Sequence, residues 1–393
     1  MSNLNFMKKL LDGVEVKWKS LGEVIELKKG KQLNKELLFE NGLYPAYNGG
    51  ISYSGFTDSY NYNENTIIIS QGGASAGFVN FVTTKFYANA HCYVVLPDST
   101  IVENRYVYHF LKLNQEKLTN KQHGAGIPAL RTSEILDIKI PIPPLNVQRE
   151  IVRILDNFTE LTTELTTELT TELTARKKQY TYYRDKLLTF EDGEVEFKPL
   201  GEVGEFIRGR RFVRDDMKEE GFPCIHYGEM YTHYNIWASE AKSYIDEELA
   251  SKLRVANYGD VVIVAAGETI EDIGRGTAWL GDTGVVIHDA CFFFKSNLNP
   301  KYVAYFTRTK IFHDQIKKHV SSGKISAINA KGLSKAIIPI PSPKEQERIV
   351  SILDKFDTLT NSISEGLPKE IELRQKQYEY YRDLLLTFSK EEK

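Results

Sequence analysis

Cysteine is scarce in this 393-residue chain, and the few that occur exclude several classes of protein. The three cysteines, Cys92, Cys224 and Cys291, form no CxxC pair and no spacing typical of a zinc site. The pattern excludes a disulfide-stabilised secreted protein. We therefore expect three small, buried side chains in a reducing compartment.

Long apolar runs are also missing. No stretch approaches the roughly 18 apolar residues that cross a bilayer, and Val261–Ala266 is only long enough for a strand. Residues 1–18 contain no sustained apolar stretch of the kind found in signal peptides. We therefore expect a cytoplasmic protein with no membrane partner.

An excess of positive charge is the third absence. The chain has 50 Lys and Arg residues against 53 Asp and Glu residues, a formal net charge of −3. A general nucleic-acid coat protein would be basic overall, so the composition disfavours that class. Any binding of nucleic acid must depend on local basic patches, or on partners that supply more positive charge.

Catalytic motifs are absent as well. The segment SGKI at 322–325 lacks the spacing and the hydroxyl residue of a phosphate-binding P-loop, and neither GxSxG nor HExxH occurs. The segment IPPL at 142–145 shares only its two prolines with the Asn-Pro-Pro-Tyr motif of amino-methyltransferases. This survey favours a non-catalytic protein and predicts no catalytic residue, no metal site and no cofactor bound by this chain.

The chain does contain an internal duplication. RKKQYTYYRDKLLTF at 176–190 returns as RQKQYEYYRDLLLTF at 374–388, with 12 of 15 positions identical at an offset of 198. IPIPPLNVQREIVRILDNF at 140–158 returns at the same offset as IPIPSPKEQERIVSILDKF at 338–356. Matches of this length are not accidental, so the two halves share a framework.

A third repeated pair shows where the halves differ. KSLGEV at 19–24 returns as KPLGEV at 198–203, at an offset of only 179, so the second half gains 19 residues before the next repeat. The intervening inserts have also diverged in sequence. A duplicated framework with two unlike inserts suits a protein that recognises two different targets at a fixed separation.

Each insert has the pattern of a mixed α/β domain. For the first insert we predict strands at Thr66–Ser70, Phe78–Val82 and Cys92–Leu96, and a helix at Asn104–Leu118. For the second insert we predict strands at Val261–Ala265, Val285–His288 and Cys291–Phe294, and a helix at Pro300–Lys318. Cys92 and Cys291 fall in comparable strands, so the inserts share a fold.

Two long helices follow the inserts. The first is predicted from about Asn146 to Phe190, and the second, Lys344–Phe388, contains Gly366 and Pro368, which interrupt it. Four TELT repeats at 159–174 place a leucine at every fourth position, close to the helical period. The stripe consists of Leu161, Leu165, Leu169 and Leu173, and its counterpart in the second half consists of Leu359, Ile363, Leu367 and Ile371.

We expect these stripes to form an antiparallel helix pair, with a disordered low-complexity tract as the alternative for the TELT run. The predicted fold class is α+β: two mixed α/β domains separated by two long antiparallel coiled-coil helices, with a pseudo-two-fold internal repeat. The predicted domains are 1–145, 146–190, 191–343 and 344–393.

Polar and basic residues in loops are the candidates for contact with DNA. Gln and Asn can pair with adenine, Arg suits both phosphate and guanine, and Gly allows close backbone approach. The candidates in the first insert are Lys28, Lys29, Lys31, Tyr47, Asn48, Gln71, Lys121 and His123. The candidates in the second insert are Arg208, Arg210, Arg211, Arg214, Arg275 and Lys324. Each short cluster alone is also compatible with an ordinary solvated surface.

In this organisation the chain resembles the specificity subunits of type I restriction-modification systems. The resemblance rests on the pair 140–158 and 338–356 and on the Tyr-Tyr-Arg-Asp segments at 182–185 and 380–383, and it covers essentially the whole chain. The TELT run is similar to the short tandem repeats in the central region of one subgroup of that family.

The resemblance implies a DNA-recognition subunit in which each insert is a target-recognition domain and reads half of a split, asymmetric DNA site. It also implies two methyltransferase subunits, which bring S-adenosylmethionine, and restriction subunits, which use ATP and magnesium. The helix ends are then candidates for partner contacts. The candidate residues are Tyr180, Tyr183, Arg184, Tyr378, Tyr381 and Arg382. The alternative is that these side chains only close the end of the helix pair.

Two other functions compete with this interpretation. The first is a nuclease or methyltransferase with a diverged site, which the missing motifs disfavour. The second is a coiled-coil scaffold whose inserts bind proteins or glycans, which does not explain basic, Gly-rich loops in both inserts. DNA binding that weakens with salt distinguishes a DNA-reading protein from a scaffold, because phosphate contacts release counterions.

Overall fold

The computed structural model describes residues 11, 13–121, 123, 128–321, 323, 325–362 and 365–388. The chain divides into two compact units. Unit 1 consists of 1–168 and 371–393, and unit 2 consists of 169–370. The division falls within a long helix, so each unit contains one insert, part of that helix and part of the second helical segment.

The strands of unit 1 are β1 (Lys17–Ser20), β2 (Ile25–Lys29), β3 (Tyr44–Tyr47), β4 (Gly55–Thr57), β5 (Thr66–Ser70), β6 (Val79–Val82), β7 (Tyr87–Ala88), β8 (Cys92–Pro97) and β9 (Lys139–Ile142). They form an antiparallel four-stranded sheet with the order β2-β8-β5-β6 and a three-stranded sheet with the order β4-β3-β7. Short helices follow at Asn104–Leu113, Gln115–Thr119 and Thr132–Leu136.

Unit 2 repeats this plan with more strands. They are β10 (Glu196–Pro199), β11 (Gly204–Arg208), β12 (Phe222–Ile225), β13 (Trp237–Ala238), β14 (Ser243–Ile245), β15 (Val255–Ala256), β16 (Val261–Val264), β17 (Ala266–Gly267), β18 (Gly276–Trp279), β19 (Val285–Ile287), β20 (Cys291–Ser296), β21 (Ser326–Ala327) and β22 (Ile337–Ile340). The two main sheets are a five-stranded sheet with the order β11-β20-β16-β18-β13 and a four-stranded sheet with the order β14-β12-β19-β15. The helices are Leu200–Val203, Glu229–Thr232, Glu247–Ala250, Pro300–Phe306, Lys310–Lys317 and Ala330–Ser334.

Most predicted elements are confirmed within one or two residues. Both predicted insert helices, however, are divided: the first at Asn114, the second at Thr307–Thr309. In the second helix the Thr309 side chain accepts a hydrogen bond from the Phe312 N–H and so starts a new helix, whereas in the first the Asn114 side chain donates to Phe110 O at 2.9 Å. All three cysteines are free and buried, as predicted.

The repeated segments close each insert into a domain. Strand β1 pairs with β9 from Lys17↔Ile142 to Ser20↔Lys139, and β10 pairs with β22 from Glu196↔Ile340 in the same antiparallel manner. The start and end of each insert are therefore joined by main-chain hydrogen bonds between framework residues. The sequence did not predict this pairing.

A buried glutamine fixes the helix that follows each insert. The Gln148 side chain accepts from Glu103 N at 2.8 Å and donates to Pro143 O at 2.7 Å. At an offset of 198, the Gln346 side chain accepts from Asn299 N at 2.9 Å and donates to Pro341 O at 2.9 Å. The same carboxamide thus satisfies one main-chain donor and at least one main-chain acceptor in each unit.

The first long helix, here the central helix, is continuous from Leu145 to Leu187. Threonine hydroxyls of the TELT run donate to the carbonyl four residues earlier, as from Thr163 to Thr159 at 2.7 Å. The disordered alternative for this run is therefore wrong. Leu161 is 62% exposed, whereas Leu165, Leu169 and Leu173 are half-buried.

The second helical segment is interrupted, as predicted, into helices at Pro343–Asn361 and Gly366–Leu386. Gly366 has a φ of +77°, a conformation that favours glycine. Pro368 lies in the first turn of the new helix, where its missing N–H costs little. Ile363, part of the predicted stripe, lies outside the described residues.

Aromatic rings join the helices within each unit. In unit 1 the Phe158 ring stacks on Tyr381 at 4.9 Å, and in unit 2 the Phe356 ring stacks on Tyr183 at 5.6 Å. The two pairs are the same contact with the copies exchanged, because Phe158 and Phe356, like Tyr183 and Tyr381, are 198 residues apart. The helix end of one copy therefore completes the unit that carries the other copy's insert.

Candidate nucleic-acid interface

Main-chain hydrogen bonds gather four loops at one corner of unit 1. Lys31 N donates to Ala88 O at 2.9 Å, and Asn89 N donates to Tyr47 O at 2.9 Å. Gln71 N donates to His91 O at 2.8 Å. The predicted candidates Lys31, Tyr47 and Gln71 therefore lie on neighbouring loops of one cluster, here the unit 1 corner.

Small residues and a neutral thiol allow this close packing. A Cβ on Gly30 would overlap the main-chain oxygen of Asn89, so only glycine fits there. Burial raises the pKa of the Cys92 thiol to about 11, so it stays protonated at neutral pH, and it donates to Tyr47 O at 3.2 Å. Lys31 and Asn48 are exposed at the surface that results.

The other candidates of the first insert lie in three different settings. Lys28 and Lys29 are exposed on β2, and the Lys28 ammonium is 3.1 Å from the Glu26 carboxylate. His123 forms a main-chain bridge with Ala129 next to the corner, and its ring contacts Glu134. Lys121 instead lines a separate cavity of about 710 Å³ with Trp18 and Leu386.

The arginine cluster of the second insert is divided by the fold. The Arg208 side chain donates to Asp289 O at 2.8 Å, and the Arg210 side chain donates to Lys252 O at 2.7 Å. Arg211 and Arg214 are exposed, and within the described residues neither side chain has a hydrogen bond or ion pair. Two arginines therefore brace the loop, and two are available to a ligand.

Arg211 and Arg214 lie at the rim of a cavity of about 310 Å³. Its remaining lining residues are Phe212, Val213, His226, Tyr227, His288 and Asp289. The His226 and His288 rings are 4.5 Å apart, and Phe212 is 5.2 Å from His288. The cavity thus combines cationic rim residues, aromatic walls and one carboxylate.

Both histidines of this cavity are neutral at pH 7. Burial lowers the pKa of His226, and burial followed by repulsion from His226 lowers the pKa of His288. The positive charges of Arg214 and Arg211 lower the pKa of His226 and of His288 further. The His288 Nδ1 atom accepts a hydrogen bond from Ala290 N at 3.1 Å, as a neutral ring allows.

The two corners share one set of main-chain hydrogen bonds. In unit 2 Arg210 N donates to Ile287 O, His288 N to Ile225 O and Ala265 N to Ala290 O, which matches the three bonds of the unit 1 corner. The side chains differ at the matched positions. The matched pairs are Gln32 and Arg211, Asn48 and His226, Gln71 and Ala265, Asn89 and His288, and Ala90 and Asp289.

Sequence reasoning missed His91, His226, His288 and Asp289. The repeat contained a signal for three of them. The segments NAHC at 89–92 and HDAC at 288–291 end at the matched cysteines, so His91, His288 and Asp289 lie in equivalent segments of the two inserts. Of the other candidates in the second insert, Arg275 is half-buried and bonded to Asp272 at 2.8 Å. Lys324 lies outside the described residues.

The predicted partner-binding residues take part in contacts within each unit. Tyr180 is buried, and Tyr183 stacks on Phe356. In the other unit the Tyr378 hydroxyl is 3.2 Å from Thr159 Oγ1. Arg184 and Arg382 each bond the aspartate that follows, Asp185 and Asp383. The exposed tyrosines of the same motif are Tyr182, at 60%, Tyr380, at 53%, and Tyr183 itself, at 36%.

A family model described as the type I restriction modification DNA specificity domain matches this chain twice, at 13–175 and 192–373. The chain belongs to this family. The two matches fall on the two halves of the internal repeat, and the family supplies the non-catalytic specificity subunit of type I restriction-modification systems.

Two relatives match along nearly their whole length. The Escherichia coli type I restriction enzyme EcoR124I/EcoR124II specificity subunit is 35% identical, over 100% of this chain and 99% of that protein. A putative type I restriction enzyme specificity subunit of Haemophilus influenzae is 36% identical, over 99% of this chain and 100% of that protein.

Solved structures share the fold. A chain from a study of complex assembly and conformational transition of the type I R-M system has a TM-score of 0.66 and 16% identity, covering 95% of this chain and 98% of that chain. The S subunit from M. genitalium has a TM-score of 0.51 and 21% identity, covering 96% and 98%. These neighbours confirm the two-domain repeat with long helices.

Two further properties concern the described part of the chain only. No helix there is both long enough and apolar enough to span a bilayer. No group of three or more His, Cys, Asp or Glu side chains there has the geometry to hold a metal ion.

Proposed function

We propose that this specificity subunit reads an asymmetric, bipartite site in double-stranded DNA, with one half-site for each unit. The observation that carries the proposal is the pair of matched corners, which have the same main-chain hydrogen bonds and different side chains. The repeated backbone presents the side chains of both corners in the same way. Different side chains on that backbone select different bases, so the two half-sites differ.

The residues proposed to contact DNA are the sequence candidates at or near these corners. Lys31, Asn48 and His123 are exposed in unit 1, as are Arg211 and Arg214 in unit 2. Lys28, Lys29, Tyr47, Gln71, Lys121, Arg208, Arg210, Arg275 and Lys324 complete the set. The net charge of −3 means that partner subunits supply much of the positive charge that a DNA duplex needs.

The proposed partners are two methyltransferase subunits, with S-adenosylmethionine, and restriction subunits that use ATP and magnesium, all in the cytoplasm. A relative of the same fold comes from a study of complex assembly in the type I R-M system, which supports this assignment. The helix-end residues Tyr180, Tyr183, Arg184, Tyr378, Tyr381 and Arg382 support the contact surface, with the exposed Tyr182 and Tyr380 beside them.

We propose further that the number of TELT repeats sets the gap between half-sites. One repeat adds about 6 Å to a helix, the length of one to two base pairs. Deleting one repeat, residues 167–170, should shorten the preferred spacer and leave both half-sites unchanged. Methylation of a library of duplexes with varied spacers measures this. An unchanged spacer contradicts the proposal.

The decisive experiment on the function is co-expression with the modification subunits encoded beside this chain, followed by mapping of methylated adenines across the host genome. The expected result is one bipartite, asymmetric motif with a modified adenine in each half. A complex that forms but neither binds DNA in a salt-sensitive way nor methylates it would favour the scaffold function instead.

A further inference from the structure

The cavity at the unit 2 corner has no obvious structural role. An arginine can donate to a carboxylate or to a main-chain carbonyl, and Arg208 and Arg210 nearby donate to main-chain carbonyls. Arg211 and Arg214 do neither among the described residues, although both lie within electrostatic range of a histidine ring. Two guanidinium groups that line one cavity and have no partner in the described part of the chain are free to donate to an external acceptor.

We infer that this cavity receives the guanine edge of a G·C base pair, with Arg211 and Arg214 as donors to guanine O6 and N7. The inference rests on the proposed function, since it presupposes that unit 2 faces the major groove of DNA. It adds the base that this corner selects and the residues that select it. Arginine is the side chain whose paired donors match the two major-groove acceptors of guanine.

The other lining residues favour a base pair over a phosphate group. Asp289 lines the cavity with a carboxylate, which repels a phosphate but can accept a hydrogen bond from the N4 amino group of cytosine. Since His288 Nδ1 accepts from Ala290 N, it presents no proton to the Asp289 carboxylate 3.3 Å away. That carboxylate therefore remains available to a ligand.

The walls of the cavity point to the same ligand. Neutral His226 and His288 add no positive charge, and Tyr227, 37% exposed, offers an aromatic surface at the mouth. Beneath them Phe212 is buried and fixes the two imidazole rings through edge contacts at 5.9 and 5.2 Å. A rigid, weakly charged site with a cationic rim suits an uncharged base edge with two acceptors.

The matched corner of unit 1 lacks this chemistry. Gln32 stands where unit 2 has Arg211, Asn48 where it has His226, and Ala90 where it has Asp289. Neither a guanidinium nor a carboxylate is present at those positions. The inference therefore applies to one half-site, and Gln32 supplies a matched control.

The first test leaves the protein unchanged. The wild-type complex with its modification subunits is assayed on duplexes in which each guanine of the recognition site is replaced in turn by 7-deazaguanine, which lacks the N7 acceptor. We expect one guanine at which replacement weakens binding by at least about 5-fold, the lower end of the range for a bidentate contact, because only the hydrogen bond to N7 is lost. Full tolerance of 7-deazaguanine at every position would overturn the inference.

The second test connects that guanine to the cavity. In Arg211→Ala/Arg214→Ala the same replacement should have no further effect, and methylation mapping should show that one guanine has become degenerate while the other half-site and the spacer are unchanged. Gln32→Ala should retain the sensitivity. Both arginines are exposed and unpaired, so the thermal midpoint should match that of wild type.

Two other outcomes refute the inference. Weaker binding to all sequences, with a smaller dependence on salt, would assign the arginines to phosphates. Continued sensitivity of the double variant to 7-deazaguanine would place the guanine contact elsewhere. The failure of the proposed function is distinct, because a wild-type complex without any bipartite methylation motif would remove the premise before either variant is made.

Discussion

The two units of this protein have the same framework and different corners. Framework positions keep their geometry even when the residue changes: Arg105 and His109 bond Asp156 in unit 1, whereas Lys301 and Tyr305 bond Asp354 in unit 2. Corner positions keep only their main-chain bonds. The comparison separates side chains that build the fold from side chains that are free to select a ligand.

The largest effect is expected at the two matched glycines. A Cβ at Gly30 or Gly209 would overlap main-chain oxygens of Asn89 or His288. Because a backbone cannot yield as a side chain can, each Gly→Ala change should lower the free energy of unfolding of its own unit by at least about 3 kcal/mol. Denaturant-dependent hydrogen exchange with mass spectrometry assigns the loss to a unit.

The control glycines for this prediction are Gly72 and Gly228. A Cβ at either meets its nearest neighbour only at ordinary contact distance, 3.6 Å and 3.5 Å respectively. Gly72→Ala and Gly228→Ala should therefore change stability by less than about 1 kcal/mol. A large loss at Gly30 with none at Gly209 would show that the corners are not equivalent.

A smaller effect is expected at the framework glutamines. Gln346→Leu leaves one main-chain N–H and one carbonyl without that partner, and Gln148→Leu leaves one N–H and two carbonyls, because Gln148 also donates to Ile101 O at 3.2 Å. Each change should cost about 2 kcal/mol or more in its own unit. Gln375→Leu, on an exposed face, should cost nothing measurable. No loss of stability in either unit in the same exchange experiment would contradict this role of the glutamines.

The smallest effect is one of pH. Burial lowers the pKa of His109 despite its bond to Asp156, so the unfolded chain binds more protons than the folded unit below about pH 6.5. The contribution of His109 to stability is therefore complete above that pH and is lost as pH falls through the folded pKa. Tyr305, whose pKa burial raises above its usual value, stays neutral throughout.

His109→Tyr should therefore reduce the dependence of unit 1 stability on pH between pH 7.5 and 5.5, with Tyr305→Phe as the control that leaves it unchanged in unit 2. Denaturation midpoints at the two pH values, read from unit 1 peptides, measure the effect. If the denaturation midpoint of unit 1 changes equally with pH in His109→Tyr and in wild type, another group titrates in that range.

The sequence predicted the elements of this fold better than their assembly. Thr66–Ser70 and the neighbourhoods of Cys92 and Cys291 were correctly predicted as strands, because buried β-branched and aromatic runs are a local signal. The pairing of β1 with β9 was not predicted, because it joins residues more than 115 positions apart and nothing local specifies the partner.

The candidate interface was predicted only in outline, for a similar reason. RGRRFVR is a single basic cluster in the sequence, yet the end of β11 directs Arg208 to Asp289 O and leaves Arg211 at a cavity. His226 and His288 are 62 positions apart in the sequence, and only the parallel pairing of β12 with β19 brings them together. Composition identifies such residues as candidates, but register decides their neighbours.

The exchange of helix ends between copies also has a consequence for the order of folding during synthesis. Leu385, Leu386 and Phe388 are buried in the hydrophobic core of unit 1, whereas unit 2 is formed by one continuous stretch of chain, 169–370. The second half can therefore fold completely while it leaves the ribosome. The first half, although translated first, holds an open core until residue 388 emerges, which reverses the usual N-to-C order.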